Sequence, residues 1–161
     1  MVSHTFRTII GRAESIDFRD DPECVGIPAK IDTGAYSSSV WASNITERNG
    51  ELEFELMGKG HPAYTGKKLK TKAYKMVTIQ NSFGQSEVRF GVNLKVSFCG
   101  KRVTTFFTLS ERSMKIYPVL IGRKMLKGRF LVDVSTGHPV ASEETEENLG
   151  YPALKNKLLK R

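Results

Sequence analysis

The chain has 161 residues and a formal net charge of +8, with 25 Lys+Arg against 17 Asp+Glu; 39% of its residues are hydrophobic and 26% charged. That balance excludes a disordered chain and suits one soluble domain, long enough to bury about two-thirds of its unfolded surface but too short for two large catalytic lobes. No apolar run approaches the roughly 18 residues that span a bilayer, Met1–Thr5 lacks a basic-then-apolar leader, and Cys24 and Cys99 alone make no disulfide framework, so a cytoplasmic protein without a membrane segment is expected.

In chain order, Phe6–Ile10 alternates apolar and polar residues, as a half-buried strand does. Ile27–Ile31 is an apolar strand that runs into Asp32-Thr33-Gly34-Ala35. Asn49-Gly50 is a tight-hairpin dipeptide, because both residues tolerate positive φ, and the alternating strand Glu51–Leu56 follows it. A basic stretch runs from Lys59 to Lys75. Asn81-Ser82-Phe83-Gly84 and Cys99-Gly100-Lys101-Arg102 punctuate two further strand pairs, with Val92–Val96 between them. Tyr117–Ile121 reads as another apolar strand, ending at Gly122. A short helix is predicted around Arg123–Lys127, bounded by Gly122 and Gly128, and a strand over Arg129–Val134. Closely spaced strands without long helices predict an all-β fold, a small barrel or sandwich. The domain is predicted over residues 1–134. Residues 135–161 read as a tail, acidic at Glu143–Glu147, then basic and leucine-bearing from Lys155 to Arg161, with helix near its end.

Several chemistries find little support. His4, His61 and His138 lie far apart, with no H-E-x-x-H and no paired cysteines, so no metal is expected. Ser37-Ser38-Ser39 lacks the G-x-S-x-G elbow of a hydrolase nucleophile and reads as polar residues opening a strand. Gly58-Lys59-Gly60 has no phosphate-loop spacing, and no cofactor is expected. Lys59, Lys67, Lys68, Lys70, Lys72 and Lys75 are placed on a solvated hairpin face, since only Tyr64 and Tyr74 are available to stack on nucleic-acid bases.

The segment from Ile27 to Ala35 carries the strongest signal. An aspartate at a strand end with glycine two residues on can be held in a tight turn, where backbone N–H groups stabilise the carboxylate and glycine admits a second backbone. The strand entering Gly122-Arg123 supplies a second such element. Ile31-Asp32-Thr33-Gly34-Ala35 together with Leu120-Ile121-Gly122-Arg123 resembles the two signature blocks of the retropepsins, the retroviral-type aspartic proteases. A bacterial subfamily of retropepsin-like proteins is closer still. Gly11-Arg12, Asp32 to Ala42, Ser82 to Arg89 and Gly122 to Asp133 fall where its members carry their blocks, and the match covers residues 9–134. The resemblance implies a small closed β-barrel of retropepsin type with one short helix after Gly122. It implies Asp32 as the catalytic residue, Thr33, Gly34 and Ala35 as support for its turn, and Leu120, Ile121, Gly122 and Arg123 as the second block. Ser82, Phe83 and Gly84 would stand at the tip of a flap. Position 36 is tyrosine, where the retroviral group carries an acidic residue and the bacterial group a basic one, so no ion pair from that position to Arg123 is expected.

Aspartic proteolysis needs two carboxylates sharing one proton: one activates a water, the other polarises the scissile carbonyl. The chain has five aspartates, and only Asp32 has the D-T-G context. Asp133 lies in a Val-Asp-Val strand pattern, and Ser135-Thr136-Gly137 has serine where a carboxylate is required. The second carboxylate is therefore expected from another copy, in a two-fold homodimer. Members of the bacterial group carry the label "ATP-dependent zinc protease" and look associated with ATP-grasp ligases that add glutamates to proteins. No residue here supports zinc or ATP, but the association gives the +8 charge a reading: an acidic, glutamate-rich substrate. The competing readings are a non-catalytic barrel that binds peptides or polyanions, and a zinc-dependent protease.

Overall fold

The computed structural model describes residues 6–81 and 83–141. Its strands are β1 (Thr8–Ile10), β2 (Ala13–Phe18), β3 (Ile27–Ile31), β4 (Ser38–Arg48), β5 (Glu51–Leu56), β6 (Lys68–Thr71), β7 (Tyr74–Gln80), β8 (Ser86–Phe98), β9 (Lys101–Ser110), β10 (Val119–Ile121) and β11 (Phe130–Val132), with one helix, α1 (Arg123–Leu126). The order β10-β3-β2-β8-β9-β4, closed by the pairing of β10 with β4, makes a six-stranded barrel. β5 and β6 extend the sheet from β4, and β7 folds back on β8 as a long hairpin. β1 and β11 form a separate parallel pair. The all-β closed barrel with one short helix after Gly122 is thus the architecture observed.

Alternation explains most of it. In β8, Val92, Leu94, Val96 and Phe98 are buried while Asn93 and Lys95 face water. The core they join contains Phe18 packed edge-on against Phe107, and Phe98 against Phe130. Full burial of each such ring stabilises the fold by about 1.5–3 kcal/mol relative to exposure. The turns read from sequence close the hairpins: Asn49 and Gly50 have φ of 53° and 77°, Cys99 and Gly100 have 45° and 76°. Ser38–Ala42 of β4 are buried without alternation, because this stretch pairs with β9 on one side and β10 on the other inside the closed ring.

Three predicted strands are shorter than read: Phe6–Ile10 begins at Thr8, Tyr117–Ile121 begins at Val119, and Arg129–Val134 is cut to Phe130–Val132. Beyond β11 the chain returns to the barrel. Arg12 N–H donates to Thr136 O at 2.8 Å and His138 N–H to Ala13 O at 2.7 Å. Gly11 permits that approach, since a Cβ there would stand 2.1 Å from Gly137 Cα. Val140 N–H reaches the Tyr117 hydroxyl. The acidic run Glu143–Glu147 and the basic segment from Lys155 lie outside the described residues. Among the described residues no helix is long and apolar enough to cross a membrane.

The topology positions one place in particular. β10 is wedged between β3, which it meets in parallel (Ile121 opposite Ile31), and β4, which it meets antiparallel (Leu120 opposite Ser39). Asp32 and Gly122, remote in sequence, therefore leave adjacent strand ends.

Candidate active site

Asp32 follows the last residue of β3, and its N–H donates to Ile121 O at 2.9 Å, extending the β3–β10 ladder by one bond. The chain then turns back: Ala35 N–H donates to Asp32 O at 3.2 Å. The side chain is fixed in the same turn, with Oδ1 accepting from Gly34 N–H at 3.0 Å and Ala35 N–H at 3.1 Å. Two backbone donors on one oxygen orient the carboxylate and leave Oδ2 for other work. A Cβ at position 34 would come 3.3 Å from Oδ1, so glycine keeps the carboxylate unobstructed. Asp32 is half-buried, while Thr33 and Gly34 are exposed.

The second block locks this turn from behind. Ile121 is fully buried in the core and Leu120 half-buried at the cleft wall. Gly122 lies against Ser37 so closely that a Cβ would stand 2.5 Å from Ser37 O, and its N–H donates to the buried Ser38 hydroxyl at 3.1 Å. The next two N–H groups, those of Arg123 and Lys124 at the start of α1, have no partner within their own helix. They donate to Ala35 O and Tyr36 O, both at 2.9 Å. The Arg123 side chain completes the clamp, its Nη1 donating to Gly34 O at 2.6 Å and Thr33 O at 3.1 Å. Arg123 thus holds the turn through main-chain carbonyls and needs no acidic residue at position 36, where Tyr36 is 65% exposed.

The turn opens into a cleft of about 730 Å³, floored by Asp32, Gly34 and Ala35 and roofed by the β7–β8 hairpin. Asp32 is the one carboxylate among the described lining residues; the cations there are Lys75, Arg89, Lys124 and Arg112. Lys124 Nζ stands 4.9 Å from the centre of the Phe106 ring, which itself fits only because position 91 is glycine. Arg112 is half-buried, with Nε donating to Tyr117 O at 3.0 Å. Burial and then the charge of Arg89 pull its pKa below the ordinary value, while Asp32 pulls the other way. At the hairpin tip, Asn81 Oδ1 accepts from the N–H groups of Phe83 and Gln85, and Gly84 takes a φ of 79°. Phe83 is 91% exposed. Ser82 lies outside the described residues.

Other candidate groups have structural partners. Ser38 supports Gly122, and Ser39 shares a buried 2.8 Å hydrogen bond with Ser110. His61 packs edge-on against Trp41, and burial lowers its pKa, keeping it neutral. His138 contacts Glu14 at 3.0 Å. Burial, ahead of the nearby aspartates Asp21 and Asp17, pushes the Cys24 thiol up to about 12, and burial ahead of Glu14 pushes Cys99 up to about 11, so neither is a ready nucleophile. Among the described residues no three of His, Cys, Asp and Glu stand together as a metal-holding group. The basic stretch splits: Lys68 and Lys70 pair with Glu53, Lys67 donates to Asp20 O, and Lys75 turns to the cleft.

Sequence reasoning missed two things. The convergence of Arg89 and Arg112 joins segments whose proximity only the barrel creates. Asp133 also does not sit inside a strand. It stands just past β11, its N–H donating to Ile10 O at 2.8 Å and its Oδ1 accepting from Ser135 N–H at 2.9 Å. The signal was there in Asp133-Val134-Ser135, a side-chain acceptor two residues before a turn N–H.

The family described as "Retropepsin-like aspartic endopeptidase RimB" matches residues 9–141. A "Probable alpha-L-glutamate ligase" of Shewanella pealeana is 30% identical over 166 aligned positions, covering 94% of this chain and 34% of that protein. A protein of the same description from Desulfotalea psychrophila is 32% identical over 155 positions, covering 89% of this chain and 32% of its own. The chain thus spans about a third of the length of the curated relatives it matches. A crystal structure of a Legionella pneumophila protein of unknown function superposes with a TM-score of 0.60 at 26% identity, covering 82% of this chain and 97% of the other. With a family match that takes in the aspartate turn, the glycine-arginine block and every strand of the barrel, the chain belongs to the retropepsin-like aspartic endopeptidase family.

Proposed function

We propose that the protein is an aspartic endopeptidase that acts as a homodimer on acidic, glutamate-rich peptides. The observation that carries this reading is the Asp32 carboxylate, fixed by Gly34 and Ala35 N–H on one oxygen and opening into a cleft that holds no other carboxylate among its described residues. Two such groups facing each other across a two-fold axis cannot both ionise. One copy's Asp32 takes a proton from the attacking water as general base. Its mate, protonated, donates to the scissile carbonyl oxygen and stabilises the tetrahedral intermediate. The exposed Thr33 and Gly34 supply the face on which the paired turns meet. No metal or cofactor enters this chemistry.

Substrate class follows from charge and from kinship. The cleft cations and the net charge of +8 favour an anionic peptide. The relatives described as glutamate ligases contain a stretch like this chain within a protein about three times as long, which supports a working association with a glutamate-ligating system. The free thiols of Cys24 and Cys99 support a reducing compartment, the cytoplasm, as the protein's place of action.

The test is digestion of oligo-glutamate and neutral peptides by the wild type and by Asp32→Asn, with and without a metal chelator, beside sedimentation at the assay concentration. The proposal requires cleavage that Asp32→Asn abolishes, that the chelator leaves intact and that tracks the dimer. Loss on chelation alone supports a zinc enzyme. A silent wild type that still binds the peptides supports a non-catalytic binding barrel.

A further inference from the structure

The long hairpin sorts its residues by the strand period of two. Lys75, Val77 and Ile79 of β7 line the cleft together with Arg89 of β8, which lies opposite Val77, while Met76 and Val88 are exposed. Arg89 is therefore delivered by the roof. Arg112 arrives from the segment after β9, anchored by its Nε on Tyr117 O. Both arginines line the same cleft as Asp32.

The donors of this pair are only partly matched by acceptors. Arg89 spends one Nη on Glu87 Oε2 at 2.7 Å, but its Nε is enclosed without an acceptor among the described residues. Glu87 offsets Arg89 from within the hairpin, and Asp32 is the carboxylate that lines the cleft with Arg112, against the four cations Lys75, Arg89, Lys124 and Arg112. In the catalytic dyad that compensation is diluted further, because one of the two carboxylates carries a proton. A group that is both anionic and forked would neutralise the pair and accept from the spare donors. A carboxylate matches guanidinium geometry in this way, whereas a carboxamide brings half the acceptor capacity and no charge.

We infer that Arg89 and Arg112 form a carboxylate-binding subsite beside Asp32, seating an acidic side chain of the peptide cleaved there. The inference rests on the peptidase reading above and assigns its substrate preference to two residues. Discrimination follows from the cleft's surplus of cations: a glutamine in the subsite neutralises none of them and leaves half-buried guanidinium donors without a charged acceptor, which a site built for an anion does not tolerate.

The experiment compares an internally quenched oligo-glutamate peptide with its oligo-glutamine counterpart. The full-length wild type, Arg89→Gln, Arg112→Gln, Arg112→Lys and Arg102→Gln are assayed on both. Arg102, exposed near the start of β9, controls for the loss of one positive charge. In parallel, the binding of both peptides is followed by fluorescence anisotropy in the Asp32→Asn background, where no cleavage interferes. The expected result is a fall of about 10- to 100-fold in the glutamate-over-glutamine ratio for each Arg→Gln change, the range for one charge-assisted interaction. Arg112→Lys should lose less, and Arg102→Gln should leave the ratio alone. Equal loss on both peptides, or an unchanged ratio, overturns the subsite. If the wild type cleaves neither peptide, the peptidase reading fails, and the anisotropy ratio alone decides the subsite: a preference for glutamate that the Arg→Gln changes remove upholds it, and no preference overturns it.

Discussion

The chain contains two aspartate turns with the same backbone and different surroundings. Asp32 follows β3 and donates its N–H to Ile121, the end of parallel β10; Asp133 follows β11 and donates to Ile10, the end of parallel β1. Each is closed by an N–H three residues on, Ala35 to Asp32 O and Thr136 to Asp133 O, both at 3.2 Å. Each carboxylate accepts from the N–H two residues on. The turn is a device for ending a strand beside a parallel neighbour, and by itself it carries no function. The difference lies in what the carboxylate meets. Asp133 has Ser135, whose hydroxyl donates to Oδ1 at 2.6 Å, and it faces open solvent. Asp32 has Gly34 at the equivalent place, a clamp from Arg123 and a cationic cleft in front.

The comparison breaks most visibly under removal of the charge. Asp32→Asn should lower kcat for peptide cleavage by about 10³-fold or more, the scale of lost general acid–base catalysis. Asp133→Asn should leave kcat and KM near wild type and lower only the melting temperature slightly. Equal losses in both would mean that the two turns are not functionally distinct.

Next comes the glycine behind each turn. Gly122→Ala places a Cβ 2.5 Å from Ser37 O, and Gly11→Ala places one 2.1 Å from Gly137 Cα. Each should destabilise the fold by about 1–3 kcal/mol or more in urea denaturation, because backbone rather than a flexible side chain must yield. Only Gly122→Ala should also reduce activity per folded molecule. Arg123→Gln removes two hydrogen bonds to the Asp32 turn, and a fall of about 10-fold in kcat with little change in KM is expected, the signature of a positioning residue. The smallest effect is a titration. The Ser135 hydroxyl and N–H hold the Asp133 carboxyl below its ordinary value. The stability this provides is present above the unfolded-state value and is lost as pH falls through the lower folded one. Ser135→Ala should raise the Asp133 value toward normal in an NMR titration and move that loss to higher pH.

What the sequence disclosed follows the range of the interactions. The Asp32 turn, the Asn49-Gly50 and Cys99-Gly100 hairpins and the helix between Gly122 and Gly128 are set by residues within a few positions of each other, and all were legible. The barrel closure is not local: β10 slots between β3 and β4 through partners about 80 to 90 positions away, which periodicity does not encode. Val132-Asp133-Val134 alternates like a strand, and only the side-chain acceptor ahead of Ser135 betrayed the turn. The cleft cations were half-visible. Lys75 was counted in a basic run that the structure divides between Glu53, Asp20 and the cleft, while Arg89 and Arg112 stood out in no pattern at all.

The central claim is that Asp32 works in pairs drawn from two chains, and mixing tests it directly. Wild-type and Asp32→Asn chains, combined in equal amounts and allowed to exchange, are assayed at constant total protein. If two intact copies are needed, activity falls to about a quarter of the all-wild-type value, the share of dimers with both carboxylates. Activity at about one half would mean that each chain acts alone, and would contradict the account.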